Sequence, residues 1–318
     1  MYGRAREPER REVSRARTQP PPAALNGLGN QAMIRLLRPA LAREPAPSRL
    51  KTEPVTDLPA GDYAETLRGG GSVIPIYAEL AKLLDVTKLE GFSADINRAL
   101  RPDPSDLKPG LNFVTRLGDR GQTGYLLDGA FTGKLPTSRT GAEPKVAILL
   151  GPGAFDPGNK AAALGVLRHE MEHAFHDLQA AKALKRWRED TTAEKTPFAG
   201  WLEKQSMSAM DRELIRERID GVKIDTEALA HLEGFIAGFP VEAPDVAEGS
   251  HRVYENELQE AARRWLSADK GVKAEFITRL KAFKGRMKGE WLDTLVADLK
   301  ALKTGDKAYA PLVDGVLG

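Results

Sequence analysis

The chain has 318 residues, with 47 Lys and Arg against 45 Asp and Glu, a formal net charge of +2. This near balance excludes a broad electrostatic footprint for nucleic acid or an anionic membrane surface, and no apolar run approaches the about 20 residues that span a bilayer. Cysteine is absent, which removes disulfides, thiol nucleophiles and Cys-ligated zinc, so any bound metal must be held by His, Asp or Glu.

Residues 1–60 read as a disordered leader, because prolines such as Pro8, Pro20, Pro21, Pro22 and Pro39 alternate with Arg4, Arg6, Arg10, Arg11, Arg15 and Arg17. A segment of this kind cannot bury enough apolar surface to offset its ordering entropy. It has no hydrophobic h-region, so the protein is expected to be made in the cytoplasm without a Sec signal peptide. Within the leader, residues 25–38 form a short amphipathic stretch ended by Pro39. Its core, Leu28-Gly29-Asn30-Gln31-Ala32 followed by Arg35-Leu36-Leu37, resembles a segment near the N-terminus of proteins associated with bacterial extracellular contractile injection systems. The resemblance implies a cargo or effector, loaded into such a particle and exported by it, with the leader as its address. A helix this short is marginal alone in water and is expected to fold on a partner.

The remaining residues, 61–318, are expected to form one domain: a mixed α/β part over 61–158, then a helical part over 159–318. The expected fold class is α+β, mostly helical, with a small antiparallel or mixed sheet. Residues 72–84 carry an apolar run ending in an amphipathic helix, and 92–100 predict a second helix. Residues 111–117 and 123–128, separated by Gly118-Asp119-Arg120-Gly121, predict a β-hairpin. Lys145–Leu150 is nearly all apolar and predicts a strand buried on both faces or half covered by the next helix. The Gly- and Pro-rich run 151–158 lacks any phosphate-cradling motif and reads as a connector, with Asn159 a plausible N-cap.

The next segment contains His169-Glu170-x-x-His173. Three of the chain's five histidines fall here. Leu164, Leu167, Met171, Ala174, Phe175 and Leu178 recur at helical spacing on the other face. Positions i and i+4 lie on one face of a helix, so both imidazoles can reach one ion at Zn–N distances of about 2.0–2.1 Å. Glu170, rotated by roughly 100°, stands beside that ion as a general base for bound water. An amphipathic helix with merely satisfied polar histidines is the bland alternative. His176 shares the face but lies about 10 Å from His169 on a straight helix. It reads as substrate-facing or as supporting the ligands from behind, or equally as a solvated surface histidine.

The segment resembles the active-site helix of zincin metallopeptidases. The metzincin branch is excluded, since its third ligand is a histidine six residues after the second and that position is Gln179 here. The resemblance implies a Zn2+ cofactor, an extended substrate bound along an edge strand, and a third ligand from a second helix. Residues 225–235 carry the E-x-x-x-H spacing that a gluzincin needs. Glu227 would coordinate the ion, and His231, one turn on, would orient it or the ligating histidines; the bland reading is an exposed glutamate with a half-buried histidine. Glu257 and then Glu255 are rivals, since a Glu-Asn pair occurs near the third ligand of some toxin-like metallopeptidases. Tyr254 and His251 are candidates to stabilise an oxyanion, or are packed or surface residues.

Residues 182–226 read as helical insertions with Trp187, Phe198, Trp201 and Leu202 as core or cleft wall. The C-terminal part reads as amphipathic helices around Trp265, Phe276, Leu280, Phe283, Trp291 and Leu295. The expected function is a zinc-dependent endopeptidase acting on a protein or peptide, with no nucleic-acid partner and no membrane span, carried as a toxin effector. The alternative is a non-catalytic structural or adaptor component of the particle, its helix metal-free or holding a structural ion.

Overall fold

The computed structural model describes residues 74–89, 92–155, 160–239 and 248–318. The leader with its segment 25–38, Asn159, and the side chains of residues 248–255 lie outside the described set. The fold is α+β and mostly helical, with one five-stranded mixed sheet. No helix among the described residues is long and apolar enough to cross a membrane.

Helix α1 (Ile74–Leu83) leads into strands β1 (Ile96–Ala99), β2 (Gly110–Val114), β3 (Gly121–Leu127), β4 (Ala130–Thr132) and β5 (Lys145–Leu150). Their order in the sheet is β1-β2-β5-β3-β4. Strands β1, β2 and β5 run parallel, and β3 is antiparallel to both β5 and β4. Two expectations are corrected here. Within residues 92–100 the regular element is strand β1 and not a helix: Ile96 to Ala99 pair with Leu111 to Val114. Asn97 secures that edge by donating to Asn112 Oδ1 at 2.9 Å and to the Asp106 carbonyl at 2.7 Å. Nor do the two runs around Gly118–Gly121 form a hairpin, since β5 lies between β2 and β3. Strand β2 is buried along its whole length and needs partners on both edges; β1 and β5 supply them. The hairpin is β3–β4, turned at Asp128-Gly129 with Gly129 at φ +74°, a left-handed conformation that glycine adopts without steric cost.

Strand β5 is the centre of the sheet, as its apolar run predicts. Val146, Ile148 and Leu150 face the main core while Ala147 and Leu149 face a smaller one on the opposite side. Across the main face lies α2 (Lys160–Glu189), which presents Leu164, Leu167, Met171 and Ala174, all fully buried, to the sheet. Trp187, Phe198, Trp201 and Leu202 extend that core; the last three lie on α3 (Phe198–Leu202).

Helix α4 (Ala209–Asp220) is capped by Ser208 Oγ, which accepts from Asp211 N, and ends at Gly221 with φ +72°. Then come α5 (Asp225–Gly238), α6 (Glu248–Ser267), α7 (Lys270–Lys284), α8 (Gly289–Gly305) and α9 (Ala310–Leu317). These helices enclose a second core of Leu229, Leu232, Phe235, Trp265, Phe276, Leu280, Phe283 and Leu295, with Trp291 packed at its edge. Helices α2 and α5, one from each core, pack on each other.

Candidate metal centre

Helix α2 delivers His169, Glu170 and His173, and the first turn of α5 delivers Glu227. The Nε2 atoms of His169 and His173 are 3.1 Å apart. Glu227 lies across from both, its Oε1 3.6 Å from His169 Nε2 and its Oε2 3.3 Å from His173 Nε2. At Zn–N distances of about 2.0–2.1 Å the edge of a tetrahedral site is about 3.3–3.4 Å, so these separations fit three ligands around one cation. Ligand atoms of His169, Glu227 and His231 also lie within 4.8 Å of one another, close enough to hold a metal ion.

The electrostatics suit the same use. Burial, then the neighbouring His231, pushes the His169 imidazole well below its ordinary value; burial and Lys223 do the same for His173. Burial alone would raise Glu227, but the His173 ring, aided by Lys223 and His169, holds it well below the usual carboxylate range. Its position in the first turn of α5 favours the anion as well. Buried His173 Nδ1 has no hydrogen-bond partner among the described residues.

Glu170 points elsewhere, toward β3. Residues 121, 123 and 125 share one face of that strand, and the face is turned to α2. Thr123 Oγ1 donates to Glu170 Oε2 at 2.6 Å, and Tyr125 donates to the Asp177 carboxylate at 3.3 Å, two turns along α2. At Gly121 a Cβ would fall 2.6 Å from Glu170 Oε1, so only glycine leaves that oxygen its space. Glu170 is 6% exposed, and burial pushes its carboxyl up to about 7 against the opposing pull of Lys223 and the Thr123 hydrogen bond.

His231 stacks edge-on against His169, ring centroids 4.6 Å apart, with its Nε2 3.6 Å from Glu227 Oε1. Its Nδ1 is 3.2 Å from Glu257 Oε2. The Glu257 carboxyl, which burial would raise, is kept below its usual value by that contact. An ionised carboxylate only accepts, so Nδ1 carries the proton of this bond. Glu257 thus faces His231 and not the histidine pair of α2. Tyr254, His251 and Glu255 lie on α6, but their side chains fall outside the described residues.

His176 is buried, 3% exposed, and turns to Glu172 at 3.2 Å. It belongs to an ion-pair cluster joining three helices. Arg168 reaches Glu172 at 3.1 Å and Glu233 of α5 at 2.6 Å, while Arg279 of α7 reaches the same two glutamates at 2.8 and 3.0 Å. Sequence reasoning missed this cluster, together with Thr123, Gly121 and the buried Lys223. The readable signal for the cluster was Arg168 and Glu172 at i, i+4 on one helix; nothing local to β3 marked Thr123 or Gly121.

No protein-family model, no curated protein and no solved structure matches the chain.

Proposed function

We propose that the chain is a zinc-dependent endopeptidase of gluzincin-like zincin type, with His169, His173 and Glu227 as protein ligands. The observation that carries this reading is the closing of Glu227 onto both Nε2 atoms at near-tetrahedral separations, while Glu170 stands apart on the Thr123 hydroxyl. When bound, zinc supplies a Lewis acid that polarises a carbonyl and lowers the pKa of a water to about 7. Glu170 takes a proton from the water that attacks the scissile carbonyl carbon. It then returns that proton to the amine nitrogen as the C–N bond breaks, so that peptide and water become a carboxylic acid and an amine. Thr123 holds Oε2, which leaves Oε1, against the bare Gly121, for the proton.

Substrate recognition fits the same strand. Strand β4 pairs with β3 only from Tyr125 to Leu127, so Gly121 to Thr123 have no strand partner on that side among the described residues. An extended peptide can add there by main-chain hydrogen bonds. The test is Glu170→Gln in the full chain: zinc content stays at the wild-type level while chelator-sensitive cleavage of a peptide library disappears. Cleavage by the variant at the wild-type rate removes Glu170 from the mechanism.

One observation favours a second reading. His231 stands beside His169 and Glu227 within ligand distance, and a fourth protein ligand would close the coordination sphere as in structural sites. In that reading the chain is an adaptor; zinc is held, no peptide is cut, and His231→Ala weakens binding as much as His173→Ala does.

The biological setting we propose is that of an effector loaded into a contractile injection particle through residues 25–38. Deleting residues 1–60 should abolish co-purification with such a particle and leave peptide cleavage intact. Retained loading after the deletion would refute the address.

A further inference from the structure

Gly165 and Gly234 stand where α2 and α5 cross. A Cβ at 165 would lie 2.9 Å from the Gly234 carbonyl oxygen; one at 234 would lie 2.9 Å from the Gly165 carbonyl oxygen and 3.4 Å from His169 Cβ. The two backbones touch with no side chain between them. Both glycines are interior to their helices, where glycine weakens a helix relative to alanine, so the close approach is what their presence secures.

Their spacing ties that contact to the site. Gly165, His169 and His173 follow one another at i, i+4 and i+8, and Glu227, His231 and Gly234 at i, i+4 and i+7. Each set lies on one stripe of its helix. The glycines and the ligand atoms therefore sit on the two faces that meet. Arg168 and Glu233, the neighbours of His169 and Gly234, form a buried ion pair at 2.6 Å that clamps the same crossing. An ordinary C···O contact is about 3.3–3.6 Å, so a methyl at either glycine drives the backbones apart by roughly half an ångström. Metal–ligand distances tolerate about ±0.2 Å. The displacement exceeds what the site can absorb.

We infer that Gly165 and Gly234 are positioning residues of the metal centre: their contact sets the helix separation at which the Glu227 carboxylate reaches an ion held by His169 and His173. This rests on the metal-site reading above. The test substitutions are Gly234→Ala and Gly165→Ala, made in the full chain. Leu232→Ala serves as control, since Leu232 is buried in the second core on the same helix. Zinc affinity is read by competition with a chromophoric chelator, and geometry by the ligand-field spectrum of the cobalt-loaded protein.

Both glycine variants should keep the far-ultraviolet circular dichroism of the wild type, lose zinc affinity at least tenfold and show altered cobalt bands. Leu232→Ala should lose thermal stability and keep affinity and bands. Wild-type affinity and bands in the glycine variants overturn the inference. So does an equal loss of affinity in Leu232→Ala, because binding would then merely track stability. Failure of both glycine variants to fold also overturns it, since the contact would then serve the fold as a whole. A wild type that binds neither zinc nor cobalt defeats the metal-site reading itself; tight wild-type binding beside unaffected glycine variants defeats only this inference.

Discussion

Thr123 and Glu170 are 47 positions apart in the chain, yet the hydroxyl of one is 2.6 Å from the carboxylate of the other. The contact constrains a buried group that would otherwise be free to rotate about its own side-chain bonds. Thr123→Val keeps the shape of the side chain and removes the donor. A hydrogen bond to a charged group contributes about 1.5–3 kcal/mol, so under the proposed mechanism kcat should fall by roughly tenfold or more with zinc content unchanged. An unchanged kcat would mean that Thr123 does not orient the base. The HExxH spacing is readable from residues alone, because it is a property of one helix. Thr123 and Gly121 are not, since nothing local to β3 says which helix will lie over it.

At the scale of elements, the same distinction separates the predictions that the structure supports from those it corrects. Strand β5 carries its burial in its own composition, and α2 carries its amphipathic period, so both match the reading of the sequence. The order of β2, β5 and β3 depends on which strand edges pair, and that choice is made by contacts between elements. The join between α2 and α3 offers a test with pH. Asp190 accepts from Thr192 N at 2.9 Å, Thr192 Oγ1 at 2.6 Å and Trp201 Nε1 at 2.7 Å.

These bonds, Thr192 first and then Trp201, hold the Asp190 carboxyl below its ordinary value. The folded pKa is depressed, so this stabilisation is fully present above the unfolded value of about 3.9 and is lost as pH falls through the folded one. The urea midpoint of Asp190→Asn should therefore lie below that of the wild type at pH 7, with the gap narrowing toward pH 3. A gap independent of pH would show that the charge of Asp190 does not matter.

Across the whole molecule, the candidate centre lies at the seam between two cores. Helix α2 belongs to the core under the sheet and α5 to the helical core, and the ligand set draws on both. A ligand that binds only the folded chain stabilises it by about 2.7 kcal/mol at a hundred times its Kd. Zinc at that excess should raise the urea-unfolding free energy by about this amount, and a chelator should reverse the gain. His173→Ala should show neither response. A wild type equally stable with and without zinc would argue that no ion bridges the two cores.

Beyond the whole-chain counts of charge and cysteine, what the sequence by itself determined was everything that repeats along a single element: the period of α2 with its histidine pair, and the buried run of β5. These follow from backbone geometry, in which 3.6 residues per helical turn and two per strand repeat set which side chains share a face. The tertiary structure alone decided which glutamate meets the histidines. Glu227 and Glu257 are both helical glutamates within reach of a histidine. They differ in the helix crossing that carries the first to the α2 pair and leaves the second on His231. Such a choice depends on distances between segments far apart in the chain, which no local preference fixes.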